Sequence, residues 1–195
     1  MWSWWGRSLF SGPMNTRPLD RLVAVLAGAL LALLAVRTFH WYPLLPDRFP
    51  IHFNGAGEPD GWSNKGAAWF LGPGLALVLG LLLYLLAKGL PSSASRSPSS
   101  VNLARKDLFL RLSIEGRTAV MAPTSTYVLW VFMLVQGLFL YIVEGMGRMA
   151  TGAWTVLPVW PVFLFLAGVL GALPLLVRST NKALMYACSK EGVAH

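Results

Sequence analysis

The side chains able to do chemistry crowd into one short stretch, "FPIHFNGAGEPDGWSNKG", residues 49–66. His52 and Asp60 offer an imidazole and a carboxylate to orient it, the pairing a general base requires. Lys65 adds a cation, and Glu58 and Asp47 add further carboxylates. No nucleophile motif, HExxH or Cys/His zinc spacing accompanies them. The expectation is therefore no catalytic residue, no metal and no cofactor: His52 holds a turn, Asp60 and Lys65 close the loop as an ion pair, and Trp62 anchors it at an interface. Glu144 and Arg148 lie one helical turn apart further along the chain and can pair with each other. Glu144 is also the candidate docking partner of the loop. A bond from it to His52 or Lys65 would gather His52, Asp60, Lys65 and Glu144 into one polar cluster.

The elements around the stretch are legible. Pro46-Asp47 and Pro50 force extended backbone, and Phe49 to Phe53 alternate in strand fashion. Asn54-Gly55 and Pro59-Asp60-Gly61 are turn signals, because Asn and Gly tolerate positive φ and Pro presets φ. A compact folded loop or short hairpin is expected over 46–66.

The surroundings are apolar. Of 195 residues, 55% are hydrophobic and 12% charged, about half the charge of a soluble domain. Four uncharged runs suit a bilayer: Leu22 to Val36, interrupted at Arg37 and continued by "TFHWYPLL", about 67–87, about 124–143 and about 154–177. The first is short against the roughly 20 residues a span needs, so Arg37 is expected near the interface, where it can snorkel. Trp41, Trp69, Trp130, Tyr141 and Trp154 fall near the ends of these runs, as an aromatic belt does. Pro158, Pro161 and Pro174 predict kinks near both ends of the fourth run. Gly72, Gly74, Gly80, Gly168 and Gly171 allow close helix approach. Gln136 is the one strongly polar side chain in mid-span, and an absence of ionisable residues there argues against transport.

The net charge of +8 reads as topology. Arg7, Arg17, Arg21, Lys88, Arg96, Arg105, Lys106, Arg111, Arg117, Arg178, Lys182 and Lys190 fall on one side; Arg37, Arg48, Lys65 and Arg148 fall on the other. The positive-inside rule then puts both termini in the cytoplasm and the 49–66 stretch outside. No basic cluster interleaved with aromatics lies outside the spans, so no direct nucleic-acid binding is expected. Cys188 is the single cysteine and forms no intramolecular disulfide.

The expected fold class is an all-α integral membrane protein, a four-transmembrane-helix bundle with a folded extracytoplasmic loop between helices 1 and 2. Its parts are an N-terminal interfacial segment over 1–20, helices 1 and 2 over 21–90 with the outer loop at 46–66, a cytoplasmic linker and amphipathic segment over 91–118, helices 3 and 4 over 119–178, and a cytoplasmic tail over 179–195. Within 91–118, "PSSASRSPSS" reads as a mobile linker. The following Leu/Arg-rich segment is either an amphipathic helix on the inner leaflet or an extension of span three.

Taken together, Pro50, His52, Phe53, Asn54, Gly57, Asp60, Trp62 and Lys65 resemble, in order, the signature of the membrane-protein family known as domain of unknown function 1648. The resemblance covers about 21–90. The family includes the SdpI immunity proteins of Gram-positive bacteria, which protect a cell from its own secreted toxin and help to sequester a repressor at the membrane. No clear match to the second membrane domain of those proteins is present. The resemblance implies a non-enzymatic sensor or immunity/signalling protein in a bacterial cytoplasmic membrane, its outer loop meeting a peptide, lipid or membrane partner protein. An accessory subunit of a membrane complex, or a small transporter, is the alternative. The lipid bilayer is the expected partner in either case, and oligomerisation is left open.

Overall fold

The computed structural model describes residues 18–193. The expected interfacial segment lies outside the described residues, apart from 18–20. Helix α1, Pro18–Trp41, opens on a proline, where the missing N–H costs nothing, with Asp20 in its first turn against the positive end of the helix dipole. A 3-10 turn, Tyr42–Leu44, ends it. Strands β1, Arg48–Phe53, and β2, Pro59–Asn64, follow. Then come α2, Ala67–Arg96; the short α3, Lys106–Arg111; α4, Ile114–Ala150; α5, Trp160–Gly171; and α6, Leu173–Glu191.

Four stretches, Pro18–Leu44, Ala67–Arg96, Ile114–Ala150 and Trp160–Glu191, are long and apolar enough to cross a membrane. Val25, Leu71 and Phe163 are each about two-thirds exposed, which suits side chains facing lipid.

The boundaries differ from those expected, for local reasons. Helix α1 runs without a break through Arg37 to Trp41, and Arg37, Thr38 and Trp41 find partners described below. Helix α2 absorbs the first half of the Ser/Pro segment: Ser92 Oγ donates to Gly89 O and Ser95 Oγ to Ser92 O, and the helix stops only before Pro98. Within 103–117, the short α3 buries Leu108 and Phe109 in a core, and 114–117 begin α4. The fourth span starts at Trp160 rather than Trp154, and the helix is interrupted at Ala172, just before Pro174. Helix α6 continues well beyond Val177, so much of the expected tail is helical.

The described chain divides into two compact units. One comprises 25–82 and 131–170 and contains the hairpin. Its core holds Leu34, Trp41, Phe49, Trp69, Val143 and Met146. Gln136 is fully buried there and its Nε2 donates to Ala76 O at 3.1 Å. Gly80 makes the room: a Cβ there would lie 2.7 Å from that nitrogen. The other unit comprises 18–24, 83–130 and 171–193, around Leu108, Phe109, Leu112, Val120, Leu184 and Cys188. There the Glu191 carboxylate accepts from Ser113 N at 2.8 Å and Ser113 Oγ at 2.6 Å, and Ser113 Oγ accepts from Gly116 N, so the residue before α4 is tied to the end of α6.

Candidate functional site

Strands β1 and β2 pair antiparallel, Arg48 opposite Asn64 and Phe53 opposite Pro59, with register shifts on either side of His52. Irregular pairing of this kind bends a hairpin and re-aims its side chains. At the turn, Asn54 acts as the organiser. Its Oδ1 accepts from Ala56 N at 2.9 Å and Glu58 N at 3.0 Å, and its Nδ2 donates to Glu58 Oε2 at 3.0 Å. This is the Asx-type self-bonding that makes Asn a turn residue. Gly57 follows with φ +83°, a conformation that glycine adopts without strain. Its carbonyl accepts from Leu157 N at 2.9 Å, and a Cβ at Gly57 would sit 1.9 Å from Leu157 O. The loop before α5 therefore rests on the hairpin tip.

The root of the hairpin is tied as firmly. Lys65 N donates to Asp47 O at 2.8 Å, and Lys65 Nζ donates to Leu45 O at 3.0 Å and Pro43 O at 3.3 Å, beside the Tyr42 ring. Phe49 is buried edge-on against Trp69, their ring centres 5.6 Å apart. Trp69 Nε1 donates to Thr38 O at 3.0 Å. That carbonyl belongs to the last turn of α1, so the indole ties the end of α1 to the first turn of α2.

Tip and root fixed, the hairpin still exposes Arg48, Ile51, His52, Glu58, Asp60, Trp62 and Asn64. His52 Nδ1 lies 2.5 Å from Asp60 Oδ1, with the imidazole 72% exposed. Trp62 is half exposed and Ile51 nearly so. Among the described residues no three His, Cys, Asp or Glu side chains come together as a metal site would need.

Glu144 is placed otherwise than expected. Its carboxylate accepts from Arg37 Nε at 2.8 Å and Arg37 Nη2 at 3.0 Å, from Trp41 Nε1 at 2.9 Å and from Arg148 Nε at 2.8 Å. The bond to Arg148 one turn away is made. The bond to His52 or Lys65 is not, because His52 is taken by Asp60 and Lys65 by backbone carbonyls. A guanidinium fork fits a carboxylate with two parallel bonds, which a lone ammonium cannot match. The polar groups thus form two separate sets, His52–Asp60 on the hairpin and Arg37–Trp41–Glu144–Arg148 between α1 and α4. Arg37 does not simply reach for an interface; it joins two helices. Trp41 and Trp69, expected as belt residues, are buried hydrogen-bond donors. Arg37 and Trp41 are spaced i and i+4, and that spacing was the available signal for a shared partner.

These features define a helical multi-pass membrane protein whose first two spans are joined by a buttressed β-hairpin. Residues 29–77, from within α1 through the hairpin into α2, match the family model described as "Domain of unknown function (DUF1648)". The resemblance carried by Pro50, His52, Phe53, Asn54, Gly57, Asp60, Trp62 and Lys65 lies inside the match. No curated protein and no solved structure matches the chain significantly.

Proposed function

We propose that the chain is a non-enzymatic receptor of a bacterial cytoplasmic membrane. Both termini face the cytoplasm, the hairpin faces outward, and the exposed Ile51, His52, Asp60 and Trp62 bind an extracytoplasmic membrane-active peptide in an immunity or signalling role like that of the SdpI proteins. One observation carries the reading. The hairpin is bonded at tip and root by Gly57, Asn54 and Lys65, yet its aromatic and its ionisable pair are left without cover. A rigid loop presenting a half-exposed Trp matches the anatomy of a binding hot spot, an aromatic anchor preorganised before the partner arrives. The asymmetry of basic residues supports the orientation.

Two measurements test it. In a Cys188→Ala background, a cysteine introduced by Gly55→Cys reacts with an impermeant thiol reagent in intact spheroplasts, and one introduced by Ser99→Cys does not; the reverse pattern refutes the orientation. Cells carrying the chain resist a panel of secreted membrane-active peptides, and Trp62→Ala weakens the binding behind that resistance by about thirtyfold, as expected for an aromatic hot spot. Equal sensitivity with and without the gene refutes the receptor role.

A further inference from the structure

The second unit holds a cavity of about 800 Å³ bounded by the last turns of α2, the connection after it, α4 and α6. Leu90, Met121, Leu176 and Val177 supply apolar wall, and Arg96, Thr180 and Asn181 supply polar groups. Thr180 is 5% exposed, and its Oγ1 has no hydrogen-bond partner. A buried hydroxyl left unpaired is costly, and native proteins keep few of them without a reason.

Beside the cavity an open groove of about 860 Å³ runs along α6 and shares Val177 and Asn181 with it. The groove carries Arg178 and Lys182. Like charges one turn apart on a helix repel, and an anion between them relieves this. Among the described residues lining either space, none is acidic. The lining draws on Trp160–Glu191, Ile114–Ala150 and the end of Ala67–Arg96, three stretches apolar enough to cross a membrane.

We propose that this cavity and groove form a binding site for a phospholipid with an anionic headgroup. Arg96, Arg178 and Lys182 take the phosphate, Thr180 Oγ1 donates its otherwise unused hydrogen bond to the headgroup, and an acyl chain lies along Leu90, Met121, Leu176 and Val177. The cations set the sign of the ligand. The apolar wall requires a chain behind the phosphate, which inorganic phosphate lacks, and a bilayer supplies such a molecule without diffusion from water.

The test uses the full chain in neutral detergent with three probes: phosphatidylglycerol, phosphatidylcholine of the same acyl chains, and inorganic phosphate. Retention is read by native mass spectrometry and stabilisation by thermal melting. Phosphatidylglycerol is retained and raises Tm, phosphatidylcholine binds at least tenfold more weakly, and inorganic phosphate leaves Tm unchanged. Arg96→Gln and Lys182→Gln each weaken phosphatidylglycerol about fivefold, the effect of one cation at an anionic lipid. Arg111→Gln, which lies outside the lining, does not. Thr180→Val keeps or raises Tm without lipid and loses part of the lipid-dependent gain, an opposition that a merely structural threonine does not produce. Equal retention of the two lipids, a gain reproduced by phosphate alone, or an equal loss in Arg111→Gln overturns the proposal. If Thr180→Val does not fold, Arg96→Gln decides alone, since Arg96 is exposed.

Discussion

Two carboxylates of the hairpin-bearing unit, Asp60 and Glu144, meet opposite circumstances. Asp60 has one described side-chain partner, His52, and both side chains are open to solvent. Glu144 has three donors from two helices and is 21% exposed. An exposed pair contributes little to stability because water competes for each charge. A carboxylate held by a guanidinium fork, an indole and a second guanidinium in a half-buried setting keeps most of its bonding energy, and removing it strands three donors. The lesson is a division of labour: the Glu144 cluster fastens α1 to α4, and the His52–Asp60 pair stays open to solvent.

The sharpest way to break that contrast is Glu144→Gln. It strands Arg37 and Arg148 and should cost about 2–3 kcal/mol, read as a lowered Tm in detergent. Arg37→Met combined with Glu144→Gln should cost less than the sum of the single changes, because both remove the same bonds. Next comes Gly57→Ala, which demands an unfavourable φ and drives a methyl into Leu157 O; about 1–3 kcal/mol is expected, with faster proteolysis in the 151–159 loop. Trp69→Phe keeps the ring against Phe49 but removes the bond to Thr38 O, for about 1 kcal/mol. Smallest is Asp60→Asn, which should stay within about 0.5 kcal/mol in thermal melting while abolishing peptide resistance. An Asp60→Asn variant as unstable as Glu144→Gln would end the distinction.

Much of the fold was legible because its signals are local. Proline positions, the Asn54-Gly55 pair and the alternation of Phe49 to Phe53 are statements about neighbouring residues, and they led to the hairpin. Charge-free runs led to four helices of sufficient length. What stayed illegible depends on azimuth, the direction in which each helix turns its faces. Sequence gives the depth of Arg37 and of Glu144 along their helices, but not that they point at each other. Trp41 and Trp69 were read as belt residues for the same reason: position near a span end says nothing about whether the indole turns outward or reaches a partner within the chain. The Ser/Pro segment is a different case. Ser92 and Ser95 bond their hydroxyls to carbonyls three residues back, a contact that slightly destabilises a helix, yet α2 carries on from its long apolar part to Arg96.

The bond between Arg37 and Glu144 joins residues 107 positions apart. Ribosomes add about 5–20 residues per second, so Arg37 emerges some 5–20 s before the carboxylate that will hold it. During that interval the first span carries a guanidinium without Glu144, a group that is expensive to leave in hydrocarbon. A nascent α1 is cheapest with that end beside water or headgroups, and the bond that joins it to α4 can form only after Glu144 has been made.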